Sequence, residues 1–155
     1  MFWKQLNKLQ EKIEELKNQL KLVNEKKEEI TKLQNGKAGN VYIISNLGSF
    51  CDNVFKIGMT RRLDPFERIK ELGSASVPFT FDIHSFIFSD DAVGLEQKMH
   101  EILNDNRVNK INLRKEFFNI SIDELEKIVQ DIDPSAEFNK TMIAEQYRQS
   151  LSIVN

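Results

Sequence analysis

Cysteine is nearly absent from this chain of 155 residues, with Cys51 standing alone. A disulfide within the chain is therefore excluded, which points to a reducing compartment. The two histidines, His84 and His100, are too few to complete a Cys/His zinc cluster with one thiol. Long apolar runs are also missing. Nothing approaches the roughly 18 residues needed to cross a bilayer, and no apolar core follows a basic start at the N-terminus, so neither a membrane span nor a secretion signal is expected. Charge of one sign is lacking too. A net charge of −2 argues against indiscriminate polyanion binding by the whole chain, although a local basic face remains possible because the field in a cleft follows nearby charges.

What is present is an ordinary globular mixture, 40 % hydrophobic and 30 % charged, with eleven Phe to fill a core. The length suits one compact domain with an appendage.

The appendage comes first. Over residues 2 to 34, Leu6, Ile13 and Leu20 alternate with Phe2, Leu9, Leu16, Val23 and Ile30 at spacings of three and four. These are a and d positions of a heptad repeat. Lys27 takes the next a position and weakens the last heptad, and Asn35-Gly36 is a stop signal. The stripe is narrow and its surroundings are rich in Glu and Lys. It favours self-association over a single helix laid on its own domain. Facing Lys12 and Lys17 would cost only about a few tenths of a kcal/mol at an exposed site.

After residue 36 the pattern changes to β-β-α-β-α-β-α. Val41–Ser45 and Val54–Gly58 read as hairpin strands joined by the turn-rich NLGSFCDN. The segment DPFE opens a helix, with Asp64 as cap and Pro65 in the first turn, ending near Gly73. FTFDIHSFIFS alternates as a third strand, and DDAVGLEQKMHEILND is an amphipathic helix. The basic, Asn-rich NRVNKINLRK leads into a short strand, EFFNI. SIDE then opens a helix to about Ile132. The tail from Ser135 looks helical but only weakly periodic, as a peripheral arm would.

GNVYIIS, then FKIGMT, then the Arg of ERIKEL, then the Glu of GLEQKMH, with RKEFF after it, resemble the GIY-YIG nuclease superfamily. The likeness covers about residues 39 to 130. It is greatest to the phage and prophage branch, whose second motif reads KIG and whose domain often follows a coiled coil. The resemblance implies an α+β fold, a small antiparallel sheet flanked by helices, preceded here by a long N-terminal coiled-coil helix. The divisions are then 1–36 for the coil, 37–133 for the nuclease-like domain and 134–155 for the tail.

The function it implies is hydrolysis of nucleic-acid phosphodiesters, DNA above RNA, with one divalent cation, Mg²⁺ or Mn²⁺, in a bacterial or phage-infected cytoplasm. A catalytically inactive nucleic-acid-binding or protein-interaction module with the same fold is the alternative. By the same resemblance Glu96 holds the metal, Arg68 clamps the scissile phosphate, and Tyr42 orients or deprotonates the water. Gly39 and Gly58 are structural.

Lys56 stands where the general family pattern has Tyr. The general base is thereby left open among Tyr42, Lys56, His84 and a hydroxide on the metal. Read from the residues, Arg68 could equally pair with Glu71 at i, i+3, and Tyr42 could be a half-buried strand aromatic. His84 lies on the more polar face of the third strand and is included among the catalytic candidates. His100 shares the helical face of Glu96, as its support or as a nucleic-acid contact. Arg61, Arg62, Arg107, Lys110, Arg114 and Lys115 are the remaining candidates for backbone phosphates. The expected partners are nucleic acid and a second copy of the chain joined through residues 2–34, with no membrane.

Overall fold

A computed structural model describes residues 2–34 and 36–153, with backbone alone for 29–34. The chain divides into two units, Met1–Gly36 and Lys37–Asn155. The first is one helix, α1 (Phe2–Gln34), as the uninterrupted heptads require. Leu9, Ile13, Leu16, Leu20 and Val23 of its stripe are all exposed. The Ile30 side chain and the Asn35 half of the stop signal lie outside the described residues.

The second unit is α+β. Its four strands are β1 (Gly39–Ser45), β2 (Val54–Thr60), β3 (Asp82–Ser89) and β4 (Phe117–Asn119), paired antiparallel in the order β3-β1-β2-β4. Its helices are α2 (Leu47–Phe50), α3 (Pro65–Ser74), α4 (Ala92–Ile102), α5 (Ile122–Ile132) and α6 (Glu145–Ser152). Among the described residues no helix is long and apolar enough to cross a membrane.

Strand alternation decides which residues meet. On one face Val41, Ile43, Phe55, Ile57 and Ile87 pack against Met99 of α4, Leu103 just after it, and Leu125 and Val129 of α5. On the other, Tyr42 and Ile44 pack beneath Ile69 and Leu72 of α3. Helix starts follow the capping signals: Asp64 Oδ1 accepts from the Phe66 amide at 3.1 Å, and Ser121 Oγ from the Glu124 amide at 3.3 Å.

Three local expectations shift. The hairpin connection holds a helical turn, α2, fixed where Asn46 Nδ2 donates to the Phe79 carbonyl at 2.7 Å. Helix α3 runs through Gly73, whose missing Cβ would stand 3.3 Å from the Thr80 Cα, so this glycine serves a close approach and not a stop. The tail is not a peripheral arm. Ala136, Phe138 and Met142 pack on the main core, Ser85 Oγ donates to the Glu137 carbonyl at 2.7 Å, and the Asn139 amide donates to the His84 carbonyl at 2.8 Å. The tail thereby covers part of the open edge of β3, which would otherwise leave its backbone groups unpaired.

Candidate active site

Strand β4 is three residues long and covers only Val54–Lys56 of β2. From Ile57 onward the outer edge of β2 needs other partners. The Ile57 amide donates to the Glu116 carbonyl at 3.1 Å, just before β4 begins. The Ile57 carbonyl accepts from His100 Nε2 of α4 at 2.7 Å. The Met59 amide donates to the Glu96 carboxylate, one turn earlier on α4. Satisfying a bare strand edge therefore delivers two carboxylates and an imidazole to one place. Donor atoms of Glu96, His100 and Glu116 all lie within 4.8 Å of one another.

Gly58 lies between this edge and the α3 face. It pairs with Tyr42 across β1 and β2. A Cβ there would stand 2.5 Å from Tyr42 Oη and 3.0 Å from Glu116 Oε2. Only glycine lets the phenol and the carboxylate close over the backbone. Gly39 has a similar reason, since its Cβ would meet the Thr60 carbonyl oxygen at 2.5 Å.

Arg68 reaches the same phenol from α3 and hydrogen-bonds to it, while also pairing with Glu71 at 3.6 Å. The pair with Glu71 and the contact with Tyr42 therefore coexist. Because the guanidinium only donates, the Tyr42 oxygen accepts, which leaves the phenolic proton for another acceptor. Lys56, on the same face of β2, forms an ion pair with Glu116 Oε2 at 3.4 Å.

The electrostatics follow from this crowding. Burial and then the charge of Glu116 push the Glu96 carboxyl up to about 7. Burial, then Glu116, push the Tyr42 phenol up to about 12, against the opposing pull of Arg68. Tyr42 is thus a proton-bearing group at neutral pH, suited to donating a hydrogen bond and poorly suited to removing a proton. Burial lowers His100 from its ordinary value. With Nε2–H committed to Ile57, the neutral ring carries its lone pair on Nδ1. Two carboxylates that repel each other beside a neutral imidazole form a donor set that fits a divalent cation of the Mg²⁺ or Mn²⁺ kind.

Beside Lys56 and Arg68 opens a cleft of about 520 Å³, lined also by Arg114, Lys115, Phe50 and Phe117. A larger cavity of about 920 Å³ lies between β3 and residues 133–139. The His84 ring and the Ser85 hydroxyl in its wall are already hydrogen-bonded within the protein, and among the described residues no Lys or Arg lines it, so the smaller cleft is the one with chemistry to offer a phosphate.

Of the expected catalytic residues the structure brings Tyr42, Lys56, Arg68 and Glu96 together, and it places His84 elsewhere. A bulge in the β1–β3 pairing turns His84 onto the opposite face, where it is 2 % exposed. Its Nδ1 donates to the Asn139 carbonyl at 2.5 Å and its Nε2 accepts from Ser45 Oγ at 2.6 Å, with Phe55 and Phe138 on either side. Both ring nitrogens are committed to structure.

Arg107 is likewise corrected. It is buried, its Nε donates to Asn104 Oδ1 at 3.1 Å, its Nη1 donates to the Leu113 carbonyl at 3.3 Å, and it covers the Phe118 ring. It shapes the basic loop and does not face outward from it. Asn109 and Asn112 also serve the loop, accepting from the amides of Ile111, Asn112 and Arg114. Arg61 and Lys110 are exposed, Arg62 is ion-paired with Glu71, and Arg114 and Lys115 reach the cleft. Sequence reasoning missed Glu116. Its signals were its place in RKEFF and its being the acid that ends the basic run.

A family model described as the T5orf172 domain matches residues 39–133. The chain belongs to the T5orf172 domain family. This is a nuclease-like family related to the GIY-YIG and homing endonucleases, so the T5orf172 domain here carries nucleic-acid binding with it. No curated protein and no solved structure matches the chain. The match begins with β1 and ends just after α5, and so contains every residue of the Tyr42–Glu116 cluster.

Proposed function

We propose that the chain is a metal-dependent endonuclease of the GIY-YIG type, hydrolysing DNA phosphodiesters with one divalent cation. The observation that carries this is the meeting of a phenol, a guanidinium, an ammonium and two carboxylates, from five separate segments, around the single Cβ-free position Gly58.

Glu96 and Glu116 would hold the cation, with His100 beside them. When bound, it supplies Lewis-acid stabilisation of charge on the phosphoryl oxygens. Arg68 offers a planar fork to two non-bridging oxygens, which a Lys could not match. Tyr42, its oxygen already accepting from Arg68, points its proton toward the water or the phosphate and orients it. Lys56 adds positive charge and holds Glu116 in place. His84 takes no part. Arg114 and Lys115 track the backbone on either side of the cut.

Plasmid cleavage with Mn²⁺ or Mg²⁺ tests the assignment. The parent chain nicks and linearises DNA, and Glu96→Gln and Arg68→Ala do not. Undiminished cutting by either variant would end the proposal.

We further infer that α1 pairs with α1 of a second copy, as its exposed heptad stripe supports. Ile13→Asp combined with Leu20→Asp then halves the solution mass while leaving the folded domain intact. An unchanged mass would refute pairing through this helix.

A further inference from the structure

We propose that the 520 Å³ cleft is a pocket for one unpaired nucleobase, so that the substrate carries an extrahelical or single-stranded nucleotide next to the bond that is cut. This rests on the nuclease reading above and narrows its substrate.

The walls have two characters. Phe50, Phe81 and Phe117, all half-buried, form an aromatic side, with Phe50 4.9 Å from Phe117 and 6.4 Å from Phe81 between ring centroids. Lys56, Arg68, Arg114 and Lys115 form a cationic side, and the one carboxylate among the lining residues, Glu71, is already paired with Arg62 and Arg68. The pocket thus asks for an anionic occupant with a flat apolar part, which is what a nucleotide presents. Bases stack on aromatic faces without regard to sequence, and enzymes that draw a base from the helix hold it in such a pocket.

Position strengthens the assignment. Lys56 and Arg68 belong both to this cleft and to the cluster around Gly58. Lys56 stands 5.3 Å from the Phe117 centroid and 3.4 Å from Glu116 Oε2. Arg68 hydrogen-bonds to Tyr42. A phosphate held between these two cations has its own base directed at the aromatic wall. A base paired and stacked in a duplex cannot enter.

The test is binding of the full-length chain carrying Glu96→Gln, which does not cut, to three probes. One is a DNA duplex with a single 2-aminopurine bulge, one is the same duplex fully paired, and one is the bulged probe as RNA. The bulged DNA is expected to bind roughly 10-fold tighter than the paired duplex and to have its fluorescence quenched by stacking. Adding Phe50→Leu, which keeps bulk but removes the flat face, abolishes the preference and the quenching while sparing affinity for paired duplex, and adding Phe50→Tyr retains both. A preference for the RNA bulge would keep the pocket and change the nucleic acid. Equal affinity for bulged and paired DNA, or a Phe50→Leu variant that behaves as its parent, would overturn the pocket while plasmid cleavage by the native chain still upheld the nuclease. Loss of all nucleic-acid binding, with tight binding of polyglutamate instead, would overturn both.

Discussion

The two faces of one small sheet each carry a polar cluster, and the clusters are built on opposite plans. Around His84 every donor has its acceptor: imidazole, Ser45 hydroxyl and Asn139 backbone form a closed set between two Phe rings. Around Gly58 the groups outnumber their mutual partners. Glu96 and Glu116 are close enough to share one proton and repel each other once both ionise, the phenolic proton of Tyr42 has no donor role inside the Arg68 contact, and the cations open onto a cleft. A closed set holds the chain together, whereas an open one waits for a ligand.

Substitution separates the two plans. Arg68→Ala should reduce DNA cleavage by roughly 100- to 1000-fold with little change in stability, because it removes a preorganised contact to developing charge. His84→Ala should do the reverse. It leaves Ser45 Oγ unpaired and a void between Phe55 and Phe138, costing about 2–4 kcal/mol of stability, with activity per folded molecule near that of the parent. Cleavage assays on freshly folded samples, paired with thermal melts, read both. If His84→Ala lost cleavage without losing stability, the two clusters would be one site.

The contrast was only partly legible in the sequence. Strand alternation and the capping signals carried the β-β-α-β-α-β-α order, and the motif resemblance carried the α+β fold and the place of Tyr42 in the site. Alternation could not locate His84, because the bulge between Ile43 and Ile44 shifts the alternation of β3 by one residue, and a bulge has no sequence mark here. Arg107 misled for a related reason. In a run of basic residues nothing says which one turns inward to brace the loop. Glu116 was hidden because its role depends on β4 being too short to cover β2, a matter of sheet length and not of motif. The tail was underrated because its contacts are single side chains in an irregular segment, with no period to read.

Gly58→Ala tests how tightly the open cluster is set. The added methyl would stand 2.5 Å from Tyr42 Oη, so the phenol or the strand must move. A displacement of that size should reduce cleavage roughly 10- to 100-fold, with a cost of about 1–3 kcal/mol in stability. Tyr42→Phe in the same background discriminates. The methyl would also stand 2.7 Å from Tyr42 Cζ, so if the displaced phenol is the cause, removing the hydroxyl relieves only part of the clash, and part of the stability returns while activity does not.

A smaller effect separates the clusters by pH. Burial holds the His84 imidazole below its ordinary value of 6.5, so the unfolded chain binds a proton that the folded chain resists. The stability this residue contributes is complete above about 6.5 and is lost as pH falls below it. Chemical denaturation from pH 8 to pH 5 should show that decline, and His84→Ala should flatten it.

Glu96 has the opposite sign. Its carboxyl is raised from 4.5 to about 7 in the folded chain, so the folded state is the better proton binder. Its contribution is full below 4.5 and is lost as pH rises through 7, where ionisation beside Glu116 costs free energy. A tenfold difference in proton affinity between the folded and unfolded chains corresponds to about 1.4 kcal/mol, and partial exposure screens much of the effect, leaving on the order of 1 kcal/mol. In chelator at pH 8, Glu96→Gln should therefore melt a few degrees above the parent, and at pH 4.5 the two should coincide. Millimolar Mn²⁺ should reverse the order at pH 8, because only the parent gains stability from binding the ion. A parent that ignored Mn²⁺ would leave two carboxylates crowded together with no cation to relieve them, and the open cluster would need another ligand.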